Sequence, residues 1–296
     1  MSFTNMEEYH KSVLIKEVLE YLNPRQGDEV VDATFGFGGH SKEILQHIGN
    51  KGRLIAIEQD EDIIELVKNE STDKRISIVN ENFLHLASIL KSRKIKKVDK
   101  ILFDLGLSSY HFDTKKSGFS FNDPTLDMRL DKKSVTRASD LVNSLPEKDL
   151  ADLLFKNADE YYSRRIAKAI VEKRKTKKIT SAKELAAIIS ATVRKRGRTN
   201  SATKTFQALR IEVNNELGVL EKTLPVAINH INKGGRIAVI SFHSKEDKIV
   251  KETFKKFASL GKIKLLTKKP VVATYEETKQ NPRSRSAKLR AAEIIN

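Results

Sequence analysis

The chain has no cysteine. Disulfides and thiolate metal sites are therefore excluded, and so is a thiolate nucleophile. Also missing is any apolar run near the roughly 18 residues of a membrane-spanning helix. The first residues, Met-Ser-Phe-Thr-Asn-Met-Glu-Glu, lack the pattern of a secretory leader. Together these absences lead to the expectation of a cytoplasmic protein. No segment repeats another. What remains is a chain of 296 residues, long enough for one large or two modest domains.

Basic charge is abundant and localised. The net charge is +16, from 55 Lys/Arg and 39 Asp/Glu. Fifteen Lys/Arg face three Glu between Glu160 and Arg210, a net +12. A further net +8 lies between Lys251 and Asn296, so the rest of the chain is net −4. Such localisation is the electrostatic footprint of a protein that meets a polyanion, most simply nucleic acid. A merely lysine-rich solvated surface is the plainer alternative.

Val30-Val-Asp-Ala-Thr-Phe-Gly-Phe-Gly-Gly-His-Ser41 reads as a strand, a glycine turn and a helix start, with Ser41 as the expected N-cap. That arrangement points backbone N–H groups and a positive helix end at an anion. It departs from a dinucleotide fingerprint, which needs a third glycine where Ser41 stands. The geometry suits a ligand with a carboxylate and a nucleoside, such as S-adenosylmethionine. A bare strand-to-helix turn would carry the same glycines.

Further strands are expected at 53–57, 76–79, 98–104, 234–240, 262–266 and 288–295. The second ends on Glu58, 22 residues after Gly36, where doubly wound folds place the acid that takes ribose hydroxyls; Asp60 is the fallback. Phe83, just past the third strand, is placed either against an adenine ring or in the core. The fourth strand ends on Asp104 and runs into Leu105-Gly-Leu-Ser-Ser109. Ligands of open parallel sheets bind at this carboxyl edge. Residues 110–135 form a long polar stretch, and four helical segments follow without a strand, marked by Leu150 to Leu154, by Ile166 and Ile170, by Leu185 to Val193, and by Phe206 to Leu220. The expected architecture is α/β: a Rossmann-like methyltransferase sheet of seven strands, built from 1–112 and 213–296. An all-helical insertion at 113–212 is the expected RNA-recognition part.

With these pieces placed, the chain resembles the bacterial MraW/RsmH family of small-subunit ribosomal RNA cytosine-N4 methyltransferases. The resemblance is carried by Asp32-Ala-Thr-x-Gly-x-Gly-Gly-His-Ser41, Asp104-Leu-Gly-Leu-Ser-Ser109, Gly118-Phe-Ser-Phe121 with Leu126-Asp-Met-Arg129, and Thr205-Phe-Gln-Ala-Leu-Arg-Ile211 with Asn214. Ser241-Phe-His-Ser244 and Asn281-Pro-Arg-Ser-Arg-Ser-Ala-Lys-Leu-Arg290 complete it. It implies methylation by S-adenosyl-L-methionine (SAM) of a decoding-centre cytidine of 16S rRNA, position 1402 in the usual rRNA numbering. The partner it implies is 16S rRNA within the small ribosomal subunit. It assigns SAM contacts to Gly38, Gly39, His40, Glu58, Phe83, Asp104 and His111. Three positions depart from the family pattern: Glu58 where Asp is usual, Tyr110-His111 where Pro-Gln is common, and Lys245 where Leu is usual.

The chemistry is consistent with the composition. A sulfonium donor releases a neutral leaving group, so no metal is expected. Methylation at cytosine C5 by the usual route needs a cysteine, which this chain lacks. Transfer to the exocyclic amine instead needs in-line placement and an acceptor for the amine proton. Asp104 and Ser108 are the candidate catalytic residues. Arg194, Lys195, Arg196, Arg198, Arg283 and Arg285 are the candidate phosphate contacts. Phe119 and Phe121 are placed either against an extruded base or in a core. The face of Gln207, Arg210 and Asn214 is open to substrate or to internal pairing. A non-catalytic nucleic-acid-binding protein, an NAD-dependent oxidoreductase and a DNA amino-methyltransferase are the competing readings. The second lacks the third glycine and a His/Tyr-Lys arrangement.

Overall fold

The central strands, rich in Val, Ile and Leu and buried along most of their length, call for a sheet covered on both faces. The computed structural model describes residues 12–68, 73–113, 116–193 and 200–296. They divide into two compact units, 1–108 with 217–296, and 109–216. Each edge of the second unit lies four residues outside the 113–212 expected from sequence.

The first unit carries the sheet. Its strands are β1 (Glu29–Asp32), β2 (Arg53–Glu58), β3 (Ile76–Asn80), β4 (Val98–Asp104), β5 (Ile231–Ser241), β6 (Ile263–Leu265), β7 (Val271–Val272) and β8 (Lys288–Ile294). The order is β3-β2-β1-β4-β5-β8-β6, with β7 pairing β8. β1 to β5 are parallel, and β8 runs antiparallel to its neighbours β5, β6 and β7. This is a Rossmann-like methyltransferase sheet, eight-stranded rather than seven because the two-residue β7 adds to it. Its helices are α1 (Ile15–Leu22), α2 (Gly39–Ile48), α3 (Glu61–Lys68) and α4 (Leu86–Ser92). After the second unit come α11 (Glu216–Asn229), α12 (Ser244–Ser259) and α13 (Tyr275–Gln280). One sheet face buries Val31, Ile57, Phe103 and Val239 against Leu90 of α4, Leu224 of α11 and Phe254 of α12.

The chain leaves β1 toward β2 and β3, then returns to place β4 on the other side of β1. That reversal opens a crevice at the carboxyl ends of β1 and β4, the usual ligand position in such sheets.

The second unit is helical in its described elements: α5 (Ser109–Asp113), α6 (Ala138–Ser144), α7 (Glu147–Ala158), α8 (Ser163–Thr176), α9 (Ala182–Thr192) and α10 (Thr203–Asn214). Leu150, Leu154, Ile166, Ile170, Leu185, Ile189 and Leu209 are among its buried apolar positions. The single last helix expected from Phe206 to Leu220 is in fact two. Asn215 adopts a left-handed conformation and ends α10, and α11 starts anew. α6 has no counterpart among the four helical segments expected.

Candidate active site

The glycine turn is held by its own side chains. Asp32 ends β1 buried, accepting from Thr34 N at 3.2 Å and from the Ser41 hydroxyl at 2.6 Å. Ser41 is therefore not the N-cap expected. α2 starts three residues earlier, capped by Gly38 at φ +75°, a conformation that costs side-chain-bearing residues about 1–2 kcal/mol. Its hydroxyl instead serves the buried acid, which burial holds above the usual carboxylate range against that hydrogen bond. Thr34 reaches the next strand, accepting from Asp104 N at 2.6 Å. The ends of β1 and β4 are thus locked together.

His40 shows which parts of the turn remain for a ligand. Its Nε2 bonds the Val13 carbonyl at 2.8 Å, and its Nδ1 lies 3.6 Å from Asp104 Oδ2. The ring is buried and committed. Any ligand contact from His40 comes through its backbone N–H, which with that of Gly39 opens the first turn of α2. Ser12 covers Gly39, where a Cβ would strike its hydroxyl. Leu14 N donates to Glu277 at 2.7 Å, tying this segment to α13. The strap Ser12–Leu14 is part of the site and gave no signal in the sequence, because its key group is a backbone carbonyl.

Glu58 closes the other side. Its two oxygens accept from Gly36 N at 2.9 Å and Asp60 N at 2.8 Å. The Gln59 backbone is a further donor to the same carboxylate. Burial pushes its carboxyl up to about 7, against those backbone hydrogen bonds. Asp60, the fallback acid, is itself buried. Asn82 donates to Gln59 at 2.6 Å and caps the short turn that carries Phe83. Phe83 meets Phe103 edge-to-face at 5.5 Å and remains half-buried. One side of the ring thus belongs to the core.

Asp104 is the chemically exceptional group. Its side chain is only 11% exposed, and Oδ1 is buried with no hydrogen-bond partner among the described residues. An unpaired buried carboxylate oxygen is costly and calls for a donor, which none of the described residues supplies. Burial lifts its carboxyl to about 6; His40 pulls down, while Asp32 and Glu246 push up. The loop beyond it packs tightly. A Cβ on Gly106 would come within 2.8 Å of the Phe242 ring, and Arg283 donates to the Leu107 carbonyl at 3.4 Å. Ser108 ends this loop, buried. Ser241-Phe-His-Ser244 leads into α12, where His243 and Glu246 form a reciprocal capping box. The end of the last motif is structural too, since Arg290 pairs bidentately with Asp247 at 2.7 and 3.2 Å.

In the second unit the motif residues bond to one another. Asp123 accepts from Gly118 N and Ser120 N. Asn214 bonds Leu130 N and the Met128 carbonyl, and Arg210 pairs bidentately with Glu216. The Arg210–Asn214 face is thus used internally. Phe119 is buried beside His111, at 5.5 Å between rings, and Phe121 meets Phe206 at 4.8 Å. His111 lies on α5, buried, in this unit rather than on the sheet. Arg285 is exposed in the turn after α13. Arg194, Lys195, Arg196 and Arg198 lie outside the described residues.

Comparison with known proteins follows the same lines. The family model described as the MraW methylase family matches residues 7–295. A ribosomal RNA small subunit methyltransferase H from Caldicellulosiruptor saccharolyticus is 46% identical, over 97% of this chain and 99% of its own length. A protein of the same name from Finegoldia magna is 42% identical over 98% of this chain and 100% of its own. The crystal structure of an rRNA methylase from Streptococcus thermophilus matches with a TM-score of 0.44 at 9% identity, covering 95% of this chain and 94% of that one. That likeness is too loose to add to the sequence relationship. With a family match along nearly its whole length and relatives above 40% identity, the chain belongs to the MraW methylase family.

Proposed function

We propose that this protein transfers a methyl group from SAM to the exocyclic N4 of a cytidine in 16S rRNA, at decoding-centre position 1402 within the small ribosomal subunit. The observation that carries the reading is the unpartnered Asp104 Oδ1 at the carboxyl end of β4, beside a left-handed glycine turn and a strand-end acid. The relatives named as small-subunit rRNA methyltransferases supply the substrate class.

The backbone N–H groups of Gly39 and His40 would hold the carboxylate of the methionine end, with Gly38 leaving room for it. Glu58 would accept the ribose hydroxyls, and the open side of Phe83 would flank the adenine. His111 is assigned on the motif alone. When bound, SAM supplies an electrophilic methyl on a sulfonium, which leaves as a neutral thioether without metal assistance.

The amine of cytosine is a weak nucleophile, because its lone pair is conjugated with the ring. Asp104 Oδ1 would accept a hydrogen bond from that amine, localise the lone pair and take up the proton. Ser108, at the end of the same loop, would hold the amine in line with the methyl. Arg283, Arg285 and the run Arg194, Lys195, Arg196 and Arg198 would contact phosphates. The second unit would carry RNA recognition.

Calorimetric SAM binding and methyl incorporation test this together. Small subunits should accept methyl where duplex DNA does not. SAM binding without RNA methylation would overturn the substrate assignment, and absence of both would overturn the enzyme reading.

A further inference from the structure

The turn between α7 and α8 presents an aromatic side chain to solvent. Tyr161 is 78% exposed and Phe155, on the last turns of α7, is 50% exposed. Their rings meet edge-to-face with centroids 6.1 Å apart. Two exposed rings in contact offer a partner more apolar surface than a single exposed side chain would.

The turn beneath it is firmly built. Asp159 adopts a left-handed conformation at φ +50° and ends α7. Glu160 is buried, and its carboxylate accepts from Tyr162 N at 2.9 Å. Tyr161 is therefore carried on a fixed backbone between two anchored residues.

Cations surround the rings. Lys204 donates to the Asp159 carbonyl at 2.8 Å, which holds its ammonium 5.0 Å above the Tyr161 ring. Arg165 sits over the Tyr162 ring at 5.8 Å and donates to the Thr192 carbonyl at 3.0 Å. Thr192 is the last residue of α9, two positions before the run that starts at Arg194. Tyr161, Tyr162, Arg165, Thr192 and Lys204 all lie within the net +12 stretch from Glu160 to Arg210.

We infer that Tyr161 and Phe155 form a stacking platform for an unpaired base of the substrate RNA, with Lys204 and Arg165 taking the flanking phosphates. Exposed rings interleaved with cations are how single-stranded nucleic acid is held without sequence reading. An aromatic face accepts any base, and the cations neutralise the backbone on either side. A protein partner would also value tyrosine and arginine, yet a net +12 sequence stretch favours a polyanion over an average protein face.

This inference rests on the rRNA reading above and adds its own contact. The test compares Tyr161→Ala, Tyr161→Phe, Tyr161→Leu and Lys204→Gln with the wild type. The readouts are affinity for a fluorescently labelled 16S rRNA fragment spanning the decoding centre, across a salt series, and KM for small subunits. SAM affinity and urea unfolding serve as controls: SAM affinity should stay unchanged, and Lys204→Gln, which gives up the bond to the Asp159 carbonyl, should still unfold in one cooperative transition. Tyr161→Ala should weaken RNA binding about tenfold or more, the range of one lost base stack. Tyr161→Phe should retain wild-type affinity, whereas Tyr161→Leu should not. Lys204→Gln should reduce the slope of log affinity against log salt by about 0.7. KM should rise with kcat unchanged. Wild-type affinity in Tyr161→Ala, or equal rescue by Leu and Phe, would overturn the stacking platform. A wild-type enzyme that neither binds nor methylates rRNA would instead overturn the reading on which it rests.

Discussion

His40 Nδ1 lies 3.6 Å from Asp104 Oδ2, while its Nε2 is bound to the Val13 carbonyl at 2.8 Å. A carbonyl oxygen only accepts, so Nε2 carries the proton. The ring nitrogen facing Asp104 then holds either a lone pair or a second proton. A proton on either partner turns this contact from a repulsion between lone pairs into an attraction. The orientation of Asp104 therefore depends on His40, and through it on the Ser12–Leu14 strap.

That dependence makes the two residues separable by kinetics. Asp104→Asn keeps the size and one acceptor but cannot take up a proton. It should bind SAM within about tenfold of wild type and lose about 100-fold or more in kcat, the scale of general-base catalysis. His40→Ala should lower SAM affinity and kcat together, because it frees both the turn and Asp104. Single-turnover methylation alongside calorimetry reads both. Unchanged kcat in Asp104→Asn would assign Asp104 to the cofactor alone.

The pH dependence follows from carboxyls raised by burial. Glu58 is raised to about 7 and Asp104 to about 6. A raised folded-state pKa means the folded protein holds its proton more tightly than the unfolded chain. These two groups therefore contribute stability that is complete below about pH 4 and lost as pH rises through 6 to 7. Ribose hydroxyls donate to the ionised form of Glu58, and a cationic ligand favours the ionised form of Asp104. SAM binding should strengthen between pH 5.5 and 7.5 and release protons. Calorimetry in buffers of differing ionisation enthalpy measures that release; affinity that is flat or falls over this range would contradict it.

Ser41→Ala removes the 2.6 Å hydrogen bond to buried Asp32. An unsatisfied buried carboxylate oxygen should cost about 1–3 kcal/mol of stability. Urea denaturation of the variant gives the value. An effect under 0.5 kcal/mol would show that the bond is dispensable.

Gly106→Ala places a methyl 2.8 Å from the Phe242 ring. The loop after Asp104 must shift, at about 1–3 kcal/mol. Pairing it with Phe242→Leu should restore part of the loss, in both midpoint and turnover. Simple additivity of the two substitutions would deny the contact.

The parallel sheet was legible because each strand is a short β-branched run flanked by helical spacing. Asp32, Glu58 and Asp104 stood out as acids at the ends of such runs. Ser41 misled, because a serine before an apolar helix usually caps it; here Gly38 starts the helix earlier and the hydroxyl turns back to Asp32. The break at Asn215 was hidden by apolar spacing that runs on from Phe206 to Leu220, whereas a single left-handed residue interrupts it. α6 is short and polar, and its end is satisfied from afar, by Arg174 of α8 donating to the Val142 and Leu145 carbonyls. Tertiary partners of this kind leave no local trace.

Methyl transfer to cytidine N4 at one position of 16S rRNA is read out by mapping modified nucleosides on rRNA from cells lacking this protein, with and without a plasmid-borne copy. N4 methylation should be lost at position 1402 alone and return with the wild-type copy but not with Asp104→Asn. An unchanged modification at that position in the deletion strain would contradict that transfer.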